Sequence, residues 1–100
     1  MSYSVTASNW WANRLTETSR EDKRRFARKL KEKVELLIGK YGHCIISTET
    51  GKPCGMIHDA LMECNIPIWK SPFNVRMEVY PDKITVCHNG GRKETVYPKA

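Results

Sequence analysis

The side chains able to bind a metal or attack a substrate are four cysteines, Cys44, Cys54, Cys64 and Cys87, and three histidines, His43, His58 and His88. Cys54 and His58 stand four apart, which places two ligands on one face of a helix. Cys87-His88 would complete a set if the fold brought it alongside. Zinc sites on small domains usually show a C-x-x-C knuckle, and this chain has none, so the spacing implies no metal and no other cofactor. Whether Cys54, His58, Cys87 and His88 converge is a question for the fold. Cys54 also sits where a helix should begin, next to Lys52, and a helix dipole with a neighbouring cation favours a thiolate. Nucleophilic catalysis needs more than that: an oriented base, a third group to hold it and a pocket. No known catalytic motif appears, so no catalytic residue is assigned. Cys44 and Cys64 read as small core hydrophobes.

A second candidate is the turn Thr48-Glu49-Thr50-Gly51-Lys52-Pro53-Cys54-Gly55. Gly51, Lys52 and Gly55 ahead of a predicted helix could meet a small anion through free backbone N–H groups. It is not a Walker A loop, because the lysine is not followed by Ser or Thr and the first glycine is misplaced.

The strongest signal is charge. The chain has 100 residues, 17 Lys+Arg against 11 Asp+Glu, and a net charge of +6. Residues 20–40 hold nine of the basic groups and four of the acids, so this one segment carries +5 and the other 79 residues carry +1. Arg20, Arg24, Arg28 and Lys31 fall on a face opposite the apolar stripe of the helix that this segment predicts, with Arg25 and Lys29 flanking it. Such a row offers phosphate contacts and little sequence readout. It also suits an acidic protein surface. Glu21, Asp22, Glu32 and Glu35, interleaved along it, are what a merely solvated helix would carry. Trp10, beside a core-facing Trp11, and Trp69, in a proline-bounded loop, are candidate exposed anchors, since Trp is enriched at binding hot spots.

The elements that must position these groups are legible from periodicity. Thr6 or Ser8 can cap a short helix in which Trp11 and Leu15 are neighbours. Phe26, Leu30, Val34, Leu37, Ile38 and Tyr41 form a helical stripe. Thr18-Ser19-Arg20-Glu21 fits a capping box ahead of it, and Gly39 and Gly42 are stop signals. Residues 43–48 read as a strand, and Pro53 suits the first turn of a third helix with Met56, Ile57, Ala60, Leu61 and Cys64 on one side. Asn65 is its left-handed cap and Pro67 prevents continuation. Residues 66–72 form an ordered loop. Phe73 to Val79 alternate, Pro81-Asp82 turns the chain, Ile84 to His88 alternate again, and Asn89-Gly90 is a hairpin signal before a strand over 92–97. Residues 98–100 should fray. The order ααβαβββ predicts a single α+β domain over 1–100: a helical hairpin and one further short helix on one face of a small, mainly antiparallel sheet of three or four strands. If Tyr80, Thr85 and Tyr97 share the outer face of that sheet, it could join two copies as a homodimer.

No apolar run reaches the roughly 18 residues of a membrane span, so no membrane partner is expected. Met1-Ser2-Tyr3-Ser4-Val5 lacks the basic and apolar regions of a signal peptide, which predicts a cytoplasmic protein and argues against a disulfide framework.

Several segments, Trp10-Trp11-Ala12-x-x-Leu15, the charged helix after them, Gly55-Met56-x-x-x-Ala60-Leu61, Ser71-Pro72-Phe73, and Met77-x-Val79-x-Pro81-Asp82-Lys83-Ile84-Thr85-Val86, together resemble small orphan proteins of phages and prophages. That resemblance implies a setting inside a host cell, action on a host defence complex or polymerase, and no enzymatic machinery. It carries over no functional residue. The leading expectation is a non-enzymatic binding protein that occludes a surface of a host protein or nucleoprotein complex through its basic helix. The alternative is a sequence-tolerant DNA- or RNA-binding domain, and the third is a small metal- or thiol-dependent enzyme.

Overall fold

The computed structural model describes residues 2–49, 52–53 and 55–98. Helix α1 spans Ser2–Ala12 and α2 spans Arg20–Tyr41. They are followed by strand β1 (Cys44–Glu49), the two-residue strand β2 (Lys52–Pro53), helix α3 (Gly55–Glu63), a single 3-10 turn (Ile68–Lys70), and strands β3 (Val75–Tyr80), β4 (Lys83–His88) and β5 (Lys93–Tyr97). The strands form one antiparallel sheet in the order β2-β1-β3-β4-β5. The fold is α+β, as the element order predicts.

The sheet is two-sided in composition because its side chains alternate. Cys44, Ile46, Val75, Met77, Val79, Ile84 and Val86 are buried on the face that carries the helices. The opposite face presents Ile45, Arg76, Glu78, Tyr80 and Thr85, with Lys93 Nζ and Glu78 3.1 Å apart across it. Phe26, Leu30, Val34 and Ile38 of α2 complete the core, together with Ile57, Ala60 and Leu61 of α3. Leu37 is only partly buried, and Tyr41 is 66% exposed because the stripe has run past the core by the last turn.

Four boundaries differ from expectation. The first helix begins at Ser2, ahead of Thr6 and Ser8, so those two residues lie inside it. Ser8 donates to the Ser4 carbonyl at 2.7 Å, and Ser4 donates to a Glu35 oxygen of α2 at 2.6 Å. Small buried residues (Ser4, Ala7, Ser8) let α1 lie close against α2, and that tertiary contact overrides the capping preference of serine. Leu15 is buried but lies beyond the helix end, so it does not pair with Trp11 by helical spacing. The cap of α2 is Ser19, one residue later than the capping box places it: its hydroxyl accepts from the Asp22 N–H at 3.1 Å, while Thr18 donates to the Thr16 carbonyl. Pro53 belongs to β2 and α3 opens at Gly55.

Three local turn signals act as their chemistry requires. Gly42 caps α2 in the left-handed region (φ 80°). Asn65, at φ 56°, ends α3: its N–H bonds the Met62 carbonyl and that of Ile66 bonds Leu61. Asn89 and Gly90 both take positive φ, and the Gly91 N–H closes the turn on the His88 carbonyl at 2.8 Å. Residues 99–100, where fraying was expected, lie outside the described residues.

Candidate interaction surface

The α1–α2 pair is an antiparallel hairpin in which Ser4 meets Glu35 at one end and Asn13 approaches Arg20 at the other. The cations of α2 divide into two sets. One set is compensated. Arg25 pairs with Asp22 at 3.2 Å, Lys33 bridges to Glu63 of α3 at 3.0 Å, and Lys31 approaches Glu35 at 3.8 Å. Lys31 is therefore part of the α1–α2 seam and not of the open row on which its spacing places it. Glu35 lies below its ordinary value, first because the Ser4 hydroxyl donates to it and then through Lys31. Lys29 is half-buried on the flank facing α3.

The other set, Arg20, Lys23, Arg24, Arg28, Lys29 and Lys40, forms no ion pair among the described residues, and its first four members lie together at the start of the helix. Arg20, Arg24 and Arg28 are exposed and follow one another at steps of four, about 6 Å of axial rise each. They share a ridge with Arg25 and Glu21, and Glu32 follows Arg28 one turn on.

Arg20 and Lys23 are also placed by the core stripe. They stand two turns before Ala27 and Leu30, on the same rows of the helix. There the rows have passed the end of the packed core, and cations replace hydrophobes. They face the last turn of α1 across a cleft of about 380 Å³ lined by Asn9, Ala12, Asn13, Arg20, Lys23 and Arg24, with Ala27 beside them.

The two candidate tryptophans separate. Trp10 is only 6% exposed, which corrects its reading as an exposed anchor. It meets the Trp11 ring edge-on at 5.1 Å, and the Arg14 guanidinium lies 3.8 Å over its face. Two adjacent helix positions point about 100° apart, and here both directions are covered, one by the core and one by Arg14 and His88. Trp69 is 57% exposed. Its turn is fastened to the α1–α2 connection: the Thr16 N–H donates to the Lys70 carbonyl at 3.0 Å, and Lys70 Nζ donates to the Glu17 carbonyl at 2.7 Å. The exposed indole thus stands at the end of the molecule where α2 begins. Nothing in the local sequence signals this tether, since its partners are 53 and 54 residues apart.

The remaining candidates stay apart. His58 is on α3, on the helix side of the sheet, while Cys87 points to the outer face, where its thiol donates to the Gly91 carbonyl at 2.9 Å. No group of three or more His, Cys, Asp or Glu gathers at a metal-binding distance among the described residues. Cys64 and Cys87 are free thiols, Cys44 is buried in the core, and burial pushes the thiol of Cys64 above its ordinary value. Gly51 and Cys54 lie outside the described residues, as does the Lys52 side chain, so of Gly51, Lys52 and Gly55, the candidates for anion binding, only Gly55, exposed at the start of α3, is fully placed. Tyr80 and Thr85 share the outer sheet face, but Tyr97 does not. A bulge between Ile84 and Thr85 pairs Tyr97 with the inward-facing Ile84, and the ring packs against the core. Among the described residues no helix is long and apolar enough to cross a membrane.

No protein-family model matches the chain, and no curated protein shows significant similarity to it.

Proposed function

We propose that the chain is a non-enzymatic binding protein that covers an anionic surface of a host nucleoprotein complex with the cationic face of α2. The observation that carries this reading is the row Arg20, Arg24 and Arg28, exposed and forming no ion pair among the described residues, with Glu21 beside it and Glu32 one turn beyond Arg28. A solvated helix usually compensates its own cations with acids one turn away, and α2 forms such pairs at Arg25 and Lys31, whereas Arg20, Arg24 and Arg28 form none among the described residues. An exposed Trp69 near the same end supplies the kind of aromatic anchor that dominates binding energy at interfaces. In this reading the setting is the cytoplasm of a cell infected by the phage that encodes the chain, and occlusion inhibits the partner.

The test is affinity recovery of partners from host lysate with the wild-type chain and with Arg20, Arg24 and Arg28 all changed to Glu. A partner complex held by the wild type and lost by the variant, at unchanged thermal stability, is expected. Equal recovery by both chains, or none by the wild type, would overturn the reading.

Direct, sequence-tolerant binding of DNA or RNA is the second reading, favoured by the cleft at Asn9, Asn13, Arg20, Lys23 and Arg24. It predicts affinity that falls steeply with salt.

A further inference from the structure

We propose that the cleft between the last turn of α1 and the first two turns of α2 seats a backbone phosphate of a nucleic-acid strand. The inference rests on the reading of the α2 face as the working surface and assigns one defined contact within it.

Three cations, Arg20, Lys23 and Arg24, and two carboxamides, Asn9 and Asn13, line a concavity of about 380 Å³ in which no carboxylate takes part. Lys23 is the informative member. It occupies the row that carries Leu30 two turns later, so it is directed towards α1 and not outward with Arg28. Ala12 and Ala27, both small, keep the space between the helices open. The carbonyls that end α1 already have other donors. Asn13 N–H bonds the Asn9 carbonyl, Arg14 Nη1 bonds Trp10, and the Arg14 and Leu15 N–H groups bond Trp11 and Ala12. Three charges and two carboxamides thus meet in a cleft whose lining holds no carboxylate, an arrangement that suits a tetrahedral anion with several acceptor oxygens.

The occupant is a nucleic-acid strand because the cationic row continues out of the cleft through Arg24 to Arg28 and can follow successive phosphates. The exposed Trp69 indole at this end offers a flat face on which a base can stack. An acidic peptide would match the charge and leave the indole without a planar partner.

The experiment is fluorescence anisotropy of a short labelled single-stranded oligonucleotide, titrated with the full chain from about 50 to 200 mM salt. Asn9→Asp with Asn13→Asp changes two amides to carboxylates at nearly constant shape and should weaken binding at least about tenfold. Lys23→Gln should lower the slope of log affinity against log salt by about 0.7, as one lost phosphate contact. Arg28→Gln, outside the cleft, should also lower the slope, and its loss should add to that of Lys23→Gln. A polyglutamate peptide of equal charge should compete poorly. The inference is overturned if both cleft variants melt like the wild type and bind like it, if the wild type fails to bind at 50 mM salt, or if polyglutamate displaces the oligonucleotide at equal charge. None of these outcomes decides partner recovery from lysate, so failure of the cleft and failure of the proposed function are read separately.

Discussion

Lys70 Nζ donates to the backbone carbonyl of Glu17 at 2.7 Å, joining the turn that carries Trp69 to the connection between α1 and α2. Glu17 itself sits at φ 46°, so its carbonyl is presented by a tight left-handed corner. The bond holds the only strongly exposed tryptophan near the start of the cationic helix. Lys70→Met keeps the aliphatic stem and removes the donor. The expected loss is about 0.5–1 kcal/mol for a charged bond at a partly exposed site, read as a few degrees in Tm. Trp10 and Trp11 are buried, so collisional quenching of tryptophan emission reports Trp69, and it should rise in the variant.

Ser19 caps α2 and Thr18 does not, which two substitutions separate. Ser19→Ala leaves the Asp22 N–H without its acceptor and should cost about 1 kcal/mol. Thr18→Ala removes a hydroxyl that donates to Thr16 within an exposed corner and should cost well under half of that. Urea unfolding of the two variants, with unchanged m-value, checks the order. A larger loss at Thr18 would move the cap back to the residue that the capping-box pattern favours.

Periodicity made the frame legible, and long-range contact made the rest. Phe26, Leu30, Val34 and Ile38 repeat at the helical step, and Val75, Met77 and Val79 at the strand step. Burial of one face is enough to fix such elements. Asn65 and Asn89-Gly90 mark turns because few other residues accept positive φ. The row Arg20, Arg24 and Arg28 is readable on the same grounds. What escaped depends on partners distant in sequence. The Ser4–Glu35 bond and the close α1–α2 seam extend the first helix to Ser2. The bulge at Ile84/Thr85 turns Tyr97 inward, and the cleft exists only because α1 ends where α2 begins. Lys31, on the cationic side by spacing, is taken into the seam by Glu35.

The two tryptophans proposed as anchors should answer oppositely to truncation. Trp10 is buried against Trp11, Arg14 and His88, so Trp10→Ala opens a large hole and should cost about 3–5 kcal/mol, much of the stability of a domain this size. Trp69→Ala removes a mostly exposed ring and should change stability by no more than about 0.5 kcal/mol. Thermal unfolding measures both. Under the proposed function, Trp69→Ala should reduce partner recovery even though the fold is intact.

Glu35 couples the hairpin to pH. The Ser4 hydroxyl and then Lys31 favour its carboxylate, so its folded value lies below the ordinary 4.5. A group depressed in this way contributes its stability above the unfolded value and loses it as pH falls through the folded one. The wild type should therefore keep this contribution at neutral pH and lose it as pH falls below the ordinary 4.5 and through the depressed folded value. Ser4→Ala removes the larger cause of the depression, since Ser4 donates to Glu35 at 2.6 Å. The variant should be less stable than the wild type at pH 7, and the two should converge in acid. Urea unfolding of both chains at pH 7, 5 and 3 follows the difference. A difference that stays constant across that range would mean that Ser4 stabilises the α1–α2 seam through packing alone, not through the charge of Glu35.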